Sequence, residues 1–320
     1  MRESSADRTT AASADYNRGG QFLHGLKSGR AAGNVVAMQQ RTTVGRAGST
    51  WRDSVSIRHA TATVAADLAD LFRARYVVGL LVVNQLKVRY QRSSLGFLWT
   101  LINPLLMLSV LSLFVGQVMR VQVPHYPVYL FSGLIPWQFF AASVTNGSMS
   151  LIHREALIRK VRVPKSIFPL AETLVAAVNM LFAMVALFIM LQLFHPGVYA
   201  QLVLVPVGLV LLGAFTLGMT VTAMTLVTYF RDLEHIIAVL LQVFYFACPI
   251  FYRSQDIGRY QWVLKFNPMT HFLRIFQCAF YEGVWPGWPT WAAAGGSAAI
   301  SMVLAYVVYK GCEHNYIFRL

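Results

Sequence analysis

The side chains of this sequence that could do chemistry are few and scattered. Its 320 residues hold 13 Asp and Glu, eight His and three Cys. Metal-assisted hydrolysis would call for H-E-x-x-H or a Cys/His cluster, and acyl transfer for a G-x-S-x-G elbow. The sequence has neither. Cys248, Cys278 and Cys312 are far apart and odd in number, which fits no metal spacing and no disulfide framework. A phosphate-cradling P-loop needs Gly-Lys before Ser or Thr, and none of the 22 glycines precedes a lysine. The expectation is a chain that is not an enzyme and carries no cofactor or metal. If it moves anything uphill, another polypeptide must supply the energy.

The elements around these residues are those of a membrane. Apolar types make up 56% and charged types 12%, against about 45–50% and about 25% in an ordinary soluble domain. Mean hydropathy is +0.52 and the pI is near 10.0. The net charge of +14 would raise the question of nucleic acid in a soluble chain. Here the charge lies in short stretches between long apolar runs, so membrane lipids are the expected partner and nucleic acid is not.

Residues 1–60 are rich in Arg, Ser, Thr, Ala and Gly, with no hydrophobic period. They read as a disordered cytosolic tail with no signal-peptide h-region, and 61–320 as the membrane domain. An interface helix over about 67–93 comes first. Its apolar run Tyr76–Val83 is too short to cross a bilayer and ends in Lys87, Arg89 and Arg92, cations placed for anionic headgroups. Six apolar segments follow: Phe97–Val118, Tyr126–Ile152, Ala171–Phe194, Ala200–Thr228, Ile236–Tyr252 and Trp288–Tyr309. Each approaches the roughly 20 residues of a transmembrane helix. The second holds Ser132, Gln138, Ser143, Thr145, Asn146 and Ser148 and should face other helices rather than lipid. The fifth has 17 residues and carries Cys248–Pro249 near its end, so it should either start earlier or break there. Between the fifth and sixth, Phe272, Ile275, Phe276, Ala279 and Phe280 recur at helical spacing. That stretch is too short to span and reads as a half-inserted helix covered by protein or a watery cavity.

With the N-terminus inside, 22 of the 27 Lys and Arg fall on the inner side. Six spans then put both termini in the cytosol. Ionisable groups are nearly absent from the spans; Glu172, at the edge of the third, is the exception, which argues against ion-coupled transport. Between the second and third spans, Leu151, Ile152, Ala156, Leu157 and Val161 alternate with Arg154, Arg159, Lys160 and Arg162 until Pro164. This is a short amphipathic helix offered to the cytosol, able to dock on a partner; positive-inside bias alone is the plainer account of it.

From about Ala65 to Phe318 the sequence resembles the permease subunit of a type-2 ABC exporter, in the Wzm-like branch that exports O-antigen, capsule or teichoic acid. The residues that carry the likeness are LKVRYQRSSLGFLWTLINPLL at 86–106, LIRKVRVP at 157–164, Arg231–Asp232, Pro249–Ile250–Phe251–Tyr252 and Asn267–Pro268. Val163 and Lys165–Ser166 depart from the family's usual aromatic and Arg-Glu. The resemblance implies an all-α integral membrane fold of six transmembrane helices, with short re-entrant gate helices between the fifth and sixth. It implies an inner-membrane homodimer with two separate ABC ATPase subunits, which would hold the ATP and Mg, and a lipid-linked glycan as substrate. It assigns Ile152, Glu155, Leu157, Arg159, Lys160 and Val163 to coupling with the ATPase, and Lys87, Arg89, Tyr90 and Arg92 to the interface helix. It assigns Trp99, Phe244, Phe251, Tyr252, Trp262, Phe266, Phe272 and Phe276 to the channel and gate. A permease for drugs or small lipids is the alternative within transport. A membrane-embedded glycosyl- or acyltransferase is the alternative outside it, lacking a recognisable catalytic carboxylate or His pair.

Overall fold

The structure is a computed structural model that describes residues 69–90, 125–160, 163–194, 200–253 and 261–312, together with Trp99, Ile102, Leu106 and Val110. The described residues belong to one compact unit, Asp67–Leu320. They form helices and turns: α1 Arg75–Tyr90, α2 Tyr126–Ser148, α3 Glu155–Lys160, α4 Ile167–Phe194, α5 Leu204–Tyr229, α6 Leu233–Ala247, α7 Gln261–Phe266, α8 Pro268–Gln277 and α9 Trp288–Cys312. Among them α2, α4, α5 and α9 are long and apolar enough to cross a membrane. The fold is thus helical throughout the described residues, with about four membrane-capable helices. The first expected span, 97–118, lies outside the described residues except for four helical positions, and the tail 1–60 lies wholly outside them.

The most polar of the four long helices is also the most buried: 78% of the α2 window lies inside the protein, against 50% in α4, 33% in α5 and 22% in α9. A helix carrying Ser and Asn is better accommodated against protein than in hydrocarbon, and α2 lies between α4 and α5. α5 hides its own polar groups. Thr220 Oγ1 donates to Thr216 O at 2.7 Å, Thr222 to Gly218 O at 2.9 Å and Thr228 to Met224 O at 2.8 Å, so these three hydroxyls are satisfied without water, while Thr216 Oγ1 is buried with no partner among the described residues. α9 approaches α5 on a stripe of small buried residues, Ala294, Ala298, Ser301 and Ala305. At Gly218 a Cβ would stand 2.6 Å from the Ser301 carbonyl carbon. That contact requires glycine.

Several boundaries differ from those read in the sequence, three of them at places that shape the site. α2 ends at Ser148 rather than 152, where Met149 caps it onto the Gly147 carbonyl. α4 begins at Ile167, which places Glu172 in its second turn rather than at its edge. The fifth apolar segment is helical only over Leu233–Ala247, because Cys248 is extended at φ −97° and ψ 144° ahead of Pro249. A residue before proline is pushed out of the helical region. At 15 residues, α6 is about 22 Å long, short of a hydrocarbon core of about 30 Å.

Candidate functional site

The stretch after α2 forms a compact elbow. Ser150 closes the end of the helix, its Oγ donating to Gly147 O at 2.6 Å. A 3-10 turn, Ile152–Arg154, leads into α3, and Pro164 precedes the start of α4. Leu151 is fully buried with Met224 of α5 and Tyr309 of α9. Ile158 packs against that group and also against Ala74, Val78, Ile167, Phe168 and Ala171. It therefore anchors α3 to both clusters at once. Val163 joins the same α1–α4 cluster. Ile158 is the inward anchor, a residue the helical spacing had not singled out, and its neighbour Leu157 is the apolar residue left on the outer side.

The outer face of α3 is open. His153, Ala156 and Lys160 are exposed, and Leu157 is 37% exposed. Ile152 and Glu155 are half-buried, and Arg159 lies on the helix with its side chain outside the described set. The expected coupling residues thus divide: Leu157 and Lys160 face outward, and Val163 packs inward.

A buried polar tie fixes this elbow. Arg154 Nη2 donates to Glu172 Oε1 at 2.8 Å, and Gln85 Nε2 donates to the same oxygen at 2.7 Å. Glu172 on α4 thereby joins the elbow to α1. The side chains of Arg154 and Glu172 are only 18% and 15% exposed, and the guanidinium lies 5.8 Å over the Phe168 ring. Burial pulls the Arg154 guanidinium below its ordinary value, and the Glu172 carboxylate opposes that pull. An arginine stays charged under both influences. Arg89, exposed in the last turn of α1, also acts on the carboxylate by charge. Of the interface-helix residues, Lys87 and Arg89 are exposed, Tyr90 ends α1 with its side chain undescribed, and Arg92 lies outside the described residues. Sequence reasoning singled out Glu172 but not Gln85 or its tie to Arg154. The signal was there: a lone carboxylate in an apolar span needs a partner.

The second arrangement surrounds the break after α6. Helix termination frees carbonyls that must be satisfied. Tyr129 of α2 donates to Tyr252 O at 2.6 Å and Pro249 O at 3.2 Å, and Tyr126 donates to Phe251 O at 3.2 Å. Gln277 of α8 donates to Pro249 O at 2.9 Å. Asn267 caps α8 by accepting from Met269 N at 3.0 Å, while its amide donates to Ala247 O at 3.4 Å. Pro268 sits in the first turn, where its missing N–H costs nothing. The Pro-Ile-Phe-Tyr and Asn-Pro signatures are therefore two halves of one joint.

The aromatic residues assigned to the channel and gate separate into two groups. Phe272 and Phe276 are 0% exposed and belong to the main core, where the Phe272 ring lies 5.0 Å from Phe215. Buried rings present no face to a passing substrate, so these two act as packing. Phe251 and Tyr252 are half-buried; the Phe251 ring meets Tyr245 edge-on at 5.1 Å. Trp99, Phe244 and Trp262 are exposed and Phe266 is 82% exposed. Among the described residues no group of His, Cys, Asp and Glu could hold a metal.

Residues 76–281 match the family described as ABC-2 type transporter. The chain is 33% identical over 240 residues to the O-antigen export system permease protein RfbA of Myxococcus xanthus, covering 74% of this chain and 91% of that one. To the RfbA protein of Klebsiella pneumoniae it is 34% identical over 216 residues, covering 65% and 82%. The polysialic acid transport protein KpsM of Escherichia coli is 26% identical over 222 residues, covering 67% and 83%. The matched span runs from α1 to the turn after α8 and so contains both joints, and on that match the chain belongs to the ABC-2 type transporter family.

Proposed function

We propose that this chain is the membrane permease of an ATP-driven exporter that moves a lipid-linked polysaccharide across the inner membrane. It works as a homodimer with two separate ABC ATPase subunits, which bind the Mg-ATP. The observation that carries this reading is the elbow. α3 offers Leu157 and Lys160 to the outside while Ile158, Val163 and the Arg154–Glu172–Gln85 tie connect it to α1 and α4. A push on α3 by an ATPase would be delivered to the interface helix and to a span together. The permease relatives in polysaccharide export support the substrate class.

In this reading 97–118 is the first of six spans, α6 with its broken end is the fifth, and both termini are cytosolic. α7 and α8 are the gate helices on the outer face. Exposed Trp99, Phe244, Trp262 and Phe266, with half-buried Phe251 and Tyr252, line the glycan's path, because aromatic faces give weak repeated contacts that release at every step. The test is reconstitution in proteoliposomes with the partner ATPase. A lipid-linked O-antigen should become lectin-accessible on the far side only with Mg-ATP, and the purified chain alone should show no ATP turnover. Turnover that survives removal of every other subunit would sink the proposal.

A further inference from the structure

The polar residues of α2 do not all turn inward. Ser132, Ser143 and Ser148 are buried, but Gln138, Thr145 and Asn146 are exposed, with exposed Ala142 between them. At about 100° per residue these four fall on one stripe of the helix. None of the three polar side chains makes a hydrogen bond among the described residues. Gln138 stands ten residues from the Ser148 end, about 15 Å along the axis and so near the middle of a hydrocarbon core of about 30 Å. An amide facing lipid tails there would have no partner at all, which is costly. The neighbouring long helices respect that cost. The exposed positions described on α4 and α5 are apolar, among them Leu181, Val185 and Ile189 on the first and Val207 and Val210 on the second.

A second amide stands beside the stripe, on a different helix. α2 and α6 run antiparallel, since Tyr129 meets the residues after α6 and Trp137 lies ring to ring with Tyr245 at 5.7 Å. Gln242 of α6 is exposed and equally without a hydrogen bond among the described residues. The helical step turns Gln138 off Trp137 and Gln242 off Tyr245 to the same side of that seam. The exposed stripe has a closed end and an open one. Every residue from Val128 to Trp137 is buried, and a Cβ at Gly133 would lie 3.3 Å from Gln277 Nε2 of α8. Toward Ser148 the stripe runs on through Thr145 and Asn146 to the elbow, where His153 is exposed.

We propose that Gln138, Thr145 and Asn146 of α2, with Gln242 of α6, form the hydrogen-bonding wall of a watery trough that takes the neutral, hydroxyl-rich sugars of the travelling polymer. Primary amides and hydroxyls both donate and accept, as sugar hydroxyls do. No charge stands on the stripe to select an acidic group or a lipid headgroup. A polar face at membrane depth belongs where it lines a water-filled cavity. This one opens toward the elbow and stops where α2 becomes wholly buried. The inference rests on the export reading and deepens it: aromatic rings offer the glycan stacking faces, and this stripe meets its hydroxyls.

The experiment uses the full chain with its partner ATPase in proteoliposomes. Gln138→Cys, Thr145→Cys and Gln242→Cys are made singly, with Cys248, Cys278 and Cys312 changed to alanine, and Val185→Cys is the control. A charged methanethiosulfonate supplied from the elbow side should label the three trough positions and leave position 185 unlabelled. A lipid-linked O-antigen of neutral sugars should protect all three. Labelling no faster than at position 185 gives the stripe to lipid and overturns the trough. A disulfide between two copies of the chain in place of labelling gives it to the second copy and overturns the trough as well. Labelling that the glycan does not slow overturns the occupant. With the native cysteines kept, Gln138→Leu combined with Gln242→Leu should raise the KM for that glycan about tenfold at an unchanged membrane level; an unchanged KM overturns the hydrogen-bonding role. Export by the unaltered chain is measured in parallel. Export with an unlabelled trough overturns this inference alone. A labelled trough without export overturns the export reading, and the glycan as occupant with it.

Discussion

Two of the places where the chain leaves a helix, after α2 and after α6, are stabilised differently. After α2 the elbow is tied by charge: Arg154 and Gln85 converge on one oxygen of Glu172. After α6 the break is tied by neutral donors: Tyr126, Tyr129, Gln277 and Asn267 satisfy the carbonyls of Ala247, Pro249, Phe251 and Tyr252. The difference follows from what each joint must do. Neutral hydrogen bonds to carbonyls hold a backbone in place at any depth without importing a charge. A buried ion pair is poor at adding net stability, because desolvation offsets its attraction, but it penalises separation heavily. The charged joint is the one whose outer face is open to a partner. In the proposed reading it moves as a unit under a push from that partner, and the neutral joint holds its shape.

This comparison can be broken most sharply at the charged joint. Arg154→Met leaves Glu172 with only the Gln85 amide, and an uncompensated buried charge costs about 3–5 kcal/mol. Thermal unfolding of the detergent-solubilised chain should show a large loss of stability, with low yield. The double variant Arg154→Met with Glu172→Leu should recover most of it, since an ion pair replaced by packed apolar groups is often neutral. Its export should stay low, because only the apolar contacts of Ile158 and Val163 then tie α3 to the cluster of α1 and α4. A double variant as unstable as the single one would mean that the pair supplies stability and not connection.

The neutral joint should respond more mildly and with a different signature. Pro249 O accepts from both Tyr129 and Gln277. Losing either donor leaves Pro249 O the other, so Gln277→Leu should cost about 1 kcal/mol, and Tyr129→Phe, which also strips Tyr252 O of its 2.6 Å donor, about 2 kcal/mol. The double variant strands the carbonyl and should cost more than the two singles added together, by about 0.5 kcal/mol or more. Strict additivity in a double-mutant cycle would show that the two donors do not share an acceptor, and the joint would be looser than its distances indicate.

The sequence exposed these joints unequally. Membrane helices announce themselves by length and hydropathy, so α2, α4, α5 and α9 were legible within a few residues, and the polar second span was rightly read as protein-facing. Pro249 made the break after α6 legible too. The amphipathic period at 272–280 located α8, and its apolar face is indeed core. What the pattern could not say is which aromatic rings are core and which are surface. Phe266 and Phe272 are six residues apart in one aromatic-rich stretch, yet one is 82% exposed and the other 0%. Asn267 and Pro268 between them end one helix and start another, and that turn changes which way each face looks. Contacts such as Gln85 with Glu172 join residues 87 positions apart, and no local period records them.

The smallest expected change in stability, with the largest consequence for function, is at Leu157. Its side chain is on the open face of α3, beside exposed Ala156 and one turn from exposed Lys160. Leu157→Asp removes little packing and places a carboxylate where water and a cation can reach it. Surface substitutions of this kind stay within about 0.5 kcal/mol, so thermal stability and membrane level should match the parent chain. Docked against an ATPase the same carboxylate would be buried without a partner, at a cost of about 3–5 kcal/mol. Copurification of the ATPase and ATP-driven export should both fall to background. The control is Ile158→Asp, one residue on, which faces the two inner clusters and should instead destabilise the chain itself. If Leu157→Asp exports normally at normal protein levels, α3 is not the docking helix, and its basic residues serve only to keep this side of the chain in the cytosol.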